Sequence, residues 1–333
     1  MSLFVVCILV LYIVSFFSGD TVSISKDKTS ALKSIMAIFI VLHHLSLQGI
    51  TFLGVFHSWG APIVSIFLFL SGYGLMKSLC KKGNVYLSNF FSHRILKGIL
   101  IPFFIAWGIF RILNIANLSS IHDELVMLVF NGITVLPHSW FVFAILYFYV
   151  SFYISYKYFK NIYCFLVLIS LFILFEIWCQ NWNYDRCWYV SAFSFPVGIL
   201  IGKYENNIIE RIKSSNGYYF VIPASLFIIA LCVYTKMELA YMFVYVLIPI
   251  IFAAILFKVK LEVLMKFKII KSLSNISFEI YLSQGISMCM FRGQYLHLES
   301  DYLYVVLTLA FTIIIAMLIK TIRKSLIRYC SNL

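Results

Sequence analysis

Charge is scarce in this 333-residue sequence: Asp, Glu, Lys and Arg together make up 12% of it. A water-soluble globular domain carries about 25%, so the composition excludes one. No stretch between the apolar runs is long enough to form a separate soluble domain. The eight cysteines form no C-x-x-C pair and no metal-ligand spacing, so neither a zinc site nor a disulfide framework is implied, and no metal is expected. Cys179 and Cys187 flank one short loop and read as independent apolar cysteines, with a pairing outside the cell as the alternative. Ten-residue alternating strands are missing too, which excludes a membrane β-barrel. A net charge of +13 points to nucleic acid only until the basic residues are located. They lie in short blocks between apolar runs, not along one polar face, so no nucleic-acid partner is expected.

What the sequence does have is apolar length: 62% of it is hydrophobic and its mean hydropathy is +0.97. Runs long enough to cross a bilayer as helices, about 20 residues each, recur near 2–18, 32–50, 59–79, 98–115, 138–157, 162–179, 188–202, 218–235, 238–257, 276–291 and 302–320. The reading is an all-α polytopic bundle of ten or eleven transmembrane helices, in contact with membrane lipids. Residues 1–31 hold an extra N-terminal anchor and a short basic loop, 32–320 a ten-helix membrane domain, and 321–333 a basic tail. With alternating crossings, 22 of the 26 Lys and Arg fall on one side, and only Arg111, Arg186, Lys236 and Arg292 on the other. The positive-inside rule then puts the N-terminus outside and the C-terminus in the cytoplasm. Gly198 and Gly202 form a small-x-x-x-small pair, as Ser71 and Gly74 nearly do.

Polar groups within apolar spans are costly, and each is a candidate for function. Lys33 and His44 are separated by eleven helical steps, a rise of about 16 Å and a net turn of about 20°. They therefore share one helix face, with the cation at the inner surface and the imidazole at or beyond the bilayer midplane. That arrangement suits a long donor whose phosphates are held by the cation and whose reactive end meets the base; coenzyme A thioesters have that shape. The bland alternative is a snorkelling lysine and two packed histidines, His43 and His44. Ser71, Gly72 and Tyr73 either shape a polar pocket or pack helices. Arg94 and Lys97 either clamp phosphates or set orientation. His138 and Trp140 lie at the outer interface, where Trp140 anchors the helix or stacks on a sugar. Glu279, with Ser277, Tyr281 and Gln284 in helical spacing, either stays protonated, pairs with a histidine or carries a proton.

Taken in order, these segments resemble the acyltransferase 3 family of membrane acyltransferases. LKSIMAIFIVLHH at 32–44 looks like its first core helix, a basic residue followed eleven positions later by histidine. FLFLSGYGL, HRILKGILIP, HSWFV, FPVGILIG and LSNISFEIYLSQG resemble its later motifs. The resemblance implies a membrane O-acyltransferase that takes an acyl group, usually acetyl, from cytoplasmic acyl-CoA to a carbohydrate hydroxyl of a surface or lipid-linked polysaccharide. Acetyl-CoA is then the donor, and a bacterial inner membrane is the expected location. His44 matches the essential histidine, with Glu279 a second catalytic candidate. Lys33, Arg94, Lys97, Ser71 and Tyr73 fall on the donor side, and Trp140 with His138 on the acceptor side. Lys33 stands where arginine is commoner, His43 doubles the histidine, and Gln284 replaces a frequent histidine, which puts an acid–base role for that late helix in doubt. The competing class is a polymerase or transporter of lipid-linked glycan. Such proteins usually show an internal repeat or a long basic outer loop, and the loop near 116–137 has no Lys or Arg.

Overall fold

The computed structural model describes residues 23–113, 120–214, 224–229 and 238–331. Its elements there are helices: α1 (Lys26–Ser46), α2 (Gly60–Lys82), α3 (Phe91–Leu113), α4 (Ile121–Asn131), α5 (Trp140–Tyr158), α6 (Tyr163–Asn181), α7 (Ser194–Lys203), α8 (Glu205–Ser214), α9 (Glu238–Lys258), α10 (Lys268–Asn275), α11 (Ser277–Phe291) and α12 (Asp301–Ser331). Six of them, α1, α2, α3, α5, α6 and α12, are long and apolar enough to cross a membrane. The expected spans at 188–202, 238–257 and 276–291 coincide with α7, α9 and α11; α7, with ten residues, rises only about 15 Å. The expected spans at 2–18 and 218–235 lie outside the described residues, apart from helical 224–229. The chain is an all-α, polytopic membrane protein. Its lipid-facing character is visible in large apolar side chains left uncovered, such as Ile112, Leu174, Val306 and Ile314. In hydrocarbon such groups meet a matching solvent, while helices satisfy the backbone internally.

The residues group into two compact units that interleave along the chain. The first contains Met1–Phe39, Val55–Gly83 and Tyr189–Asn275; the second contains Ile40–Gly54, Asn84–Trp188 and Ile276–Leu333. Helix α1 passes from the first into the second at Ile40.

In the first unit α2 and α7 lie almost backbone to backbone. A Cβ on Gly72 would collide with the Phe195 carbonyl and one on Gly198 with the Phe69 carbonyl, and one on Gly202 would come within 3.1 Å of the Tyr73 carbonyl oxygen. The expected Gly198–Gly202 pair is thus a real helix contact. On α2, however, the residue that makes the approach is Gly72, because Gly74 faces open space. Glu205, buried at the start of α8, accepts hydrogen bonds from Ile24 N–H (3.0 Å) and the Tyr73 hydroxyl (2.8 Å) and pairs with Lys77. Lys28 is buried and donates to the Leu256 carbonyl at 2.9 Å.

In the second unit α11 packs along α12, where the Ser283 hydroxyl donates to the Thr312 carbonyl at 2.8 Å. Helices α5 and α6 pair through Phe148 and Phe172, whose rings stack at 4.4 Å. Helix α3 starts with ten π-helical residues, Phe91–Leu100, and becomes α-helical at Ile101, just before Pro102. Proline has no N–H to donate and crowds the carbonyl four residues back, so a local change of helix type is its ordinary accommodation. Ser120 caps α4 by accepting from Asp123 N–H at 3.1 Å, and Gly132 ends it with a left-handed φ of 64°.

Candidate active site

The unbroken helix α1 carries both Lys33 and His44, as their spacing requires. Lys33 is half-buried in the first unit. His44 belongs to the second unit, where it is 6% exposed. Its Nδ1 lies 2.9 Å from Oε1 of Gln284 on α11. The His138 ring lies flat against it, with centroids 3.8 Å apart and planes 12° from parallel. His43 is 5.2 Å away, centroid to centroid. His44 thus sits among groups brought from three places in the sequence: its own helix, the segment before α5, and α11.

The segment before α5 is held under tension. His138 has φ 65°, a conformation that costs a residue other than glycine about 1–3 kcal/mol and persists only when its surroundings enforce it. Helix α11 supplies the enforcement. The Tyr281 hydroxyl donates to the His138 carbonyl, and a Cβ on Gly285 would stand 2.6 Å from the Pro137 carbonyl oxygen. Only a glycine at 285 admits the Pro137–His138 backbone this close. Tyr281, Gln284 and Gly285 are spaced i, i+3 and i+4 and so share one helix face, which grips the His138 backbone and the His44 ring together. Trp140 begins α5 directly after this segment, its ring 5.9 Å from Trp188.

Other expected site residues have other partners. Glu279, 2% exposed, pairs with Arg323 of α12 at 2.8 Å, so its partner is an arginine and not a histidine. In the first unit, Tyr73 is engaged by Glu205, and the Ser71 hydroxyl donates to the Phe67 carbonyl at 2.8 Å within its own helix. Arg94 donates from Nε to the Tyr86 hydroxyl at 2.9 Å and lies over that ring. Arg94 and Lys97 both fall in the π-helical stretch of α3, whose wider i→i+5 turns separate residues three apart by a larger angle than α-helical turns do.

The residues that sequence reasoning underrated are Gln284, Tyr281 and Gly285. Gln284 looked like a lost histidine, yet it is the group bonded to His44. The signal available beforehand was the shared face of 281, 284 and 285; the left-handed backbone at His138 left no such trace.

His44 is thus a buried imidazole with one nitrogen held by an amide, in an all-helical integral membrane protein, and a buried imidazole is a group of the kind used for proton transfer or nucleophilic chemistry. The chain belongs to the acyltransferase 3 family: the model of that family, described as an acyltransferase domain, matches residues 29–321. It is therefore a membrane acyltransferase. No curated protein and no solved structure gives a significant match.

Proposed function

We propose that this protein transfers an acyl group, acetyl in the first instance, from cytoplasmic acyl-CoA to a hydroxyl of a cell-surface or lipid-linked polysaccharide. The observation that carries this reading is His44, buried between Gln284 and His138 on the same helix face as Lys33 and eleven residues after it. His44 takes the proton from the acceptor hydroxyl, whose oxygen attacks the thioester carbonyl. The new C–O bond forms as the C–S bond breaks, and the proton passes from the imidazolium to the departing sulfur, giving coenzyme A thiol. The alternative route, an acyl-histidine intermediate, uses the same residue as nucleophile. Lys33, Arg94 and Lys97 supply cations for the donor's phosphates. His138 and Trp140 line the acceptor side. The orientation is N-terminus out and C-terminus in, within a bacterial inner membrane.

The test is proton NMR of surface polysaccharide purified from cells with the wild-type protein, His44→Ala, or no gene, with membrane expression checked. O-acyl signals present only with wild type are the expected result. Identical substituents in all three strains with altered chain length or amount would replace this reading with a polymerase or transporter of lipid-linked glycan.

A further inference from the structure

Gln284 has no exposed surface, and its side chain has two chemically different ends. Its Oε1 faces His44 Nδ1 at 2.9 Å. An amide oxygen only accepts, so the hydrogen between the two atoms belongs to the imidazole, and Nδ1–H leaves the lone pair on Nε2. The stacked His138 ring covers a face of His44 and does not compete for either ring nitrogen. The other end, the Gln284 amide nitrogen, is buried and has no hydrogen-bond partner among the described residues. A buried donor left unpaired is destabilising, so an amide is a poor choice here unless something the protein works on takes its hydrogens. Tyr281, one turn before Gln284, and Gly285, next to it, hold the His138 segment against this part of α11.

We propose that Gln284 serves the transfer site from both ends: its carbonyl oxygen positions His44 as the Nδ1–H tautomer, making Nε2 the reacting nitrogen, and its amide group donates to the carbonyl oxygen of the acyl group. That oxygen has acceptor capacity only and gains negative charge as the hydroxyl adds to the carbonyl carbon, so a fixed N–H donor favours the transition state over the ground state. The inference rests on the reading of His44 as the transfer residue. It also explains a glutamine at 284: glutamate keeps the acceptor but lacks the donor, and methionine keeps the volume but lacks both.

The test uses full-length protein with selectively ¹⁵N-labelled histidine in detergent micelles, the His44 signal being assigned by its loss in His44→Asn. Wild type should show His44 with its proton on Nδ1, Gln284→Glu should keep that tautomer, and Gln284→Met should turn it towards Nε2–H. Transfer from acetyl-CoA per folded molecule should fall about a hundredfold or more in Gln284→Met. In Gln284→Glu it should fall at least tenfold in kcat with little change in KM for acetyl-CoA. A wild-type His44 protonated on Nε2, or a Gln284→Met protein that folds and keeps Nδ1–H, overturns the positioning role. A Gln284→Glu protein with wild-type kcat overturns the donor role. If His44→Asn transfers at the wild-type rate, the function proposed for His44 fails, whereas the tautomer measurement still decides what Gln284 does to it.

Discussion

His138 lies face to face with His44, ring centroids 3.8 Å apart, and does so from a left-handed backbone conformation that few residues adopt. Stacking of this kind orients a ring without occupying its nitrogens, which suits the transfer role proposed for His44.

His138→Ala is therefore expected to lower acyl transfer about ten- to a hundredfold at unchanged membrane level, and His138→Phe, which keeps a flat ring, to retain more of it. The ratio of O-acyl content to protein amount measures both. Equal activity of His138→Ala and wild type would remove His138 from the site.

Glu279, which is buried, pairs at 2.8 Å with Arg323, which is 21% exposed. Removing Arg323 leaves the Glu279 carboxylate buried without its cation, a loss that typically costs about 3–5 kcal/mol, whereas removing Glu279 leaves a partly exposed guanidinium and costs less. Glu279→Ala should lower the melting temperature of the detergent-purified protein, and the double variant Glu279→Gln with Arg323→Met should lose less than the two single changes added together. Transfer per folded molecule should survive in all of them. A Glu279→Gln protein of normal stability with no activity would return Glu279 to the catalytic set.

The α2–α7 contact makes a paired prediction. Gly72→Ala drives a methyl group into the Phe195 carbonyl, while Gly74→Ala meets nothing within 4 Å. Overpacking of this kind costs about 1–3 kcal/mol or more, so Gly72→Ala should reduce folded yield in fluorescence-detected size exclusion, whereas Gly74→Ala should match wild type. The same result for both substitutions would refute the close approach.

Lys33 is proposed to hold the donor's phosphates, so the effect of its loss should depend on whether the donor has any. Lys33→Ala is expected to raise KM for acetyl-CoA about tenfold and to leave KM for an acetyl-pantetheine thioester unchanged. A KM that rises equally for both donors would give Lys33 another task.

The sequence by itself determined the solvent and the element type. Hydrocarbon tolerates only backbones that satisfy their own hydrogen bonds, so runs of about 20 apolar residues read directly as helices, and α1, α2, α3, α5, α6 and α12 lie where those runs are. It also determined the register of Lys33 against His44, because that relationship lies within one helix and follows from 3.6 residues per turn. What joined His44 to Gln284 and His138, bound Glu279 to Arg323 and chose Gly72 over Gly74 was decided only by tertiary packing. Each of these pairings joins segments far apart in the chain, and several polar partners would have satisfied each group equally well on composition alone. The choice among them is made by which helix faces meet and how closely their backbones approach.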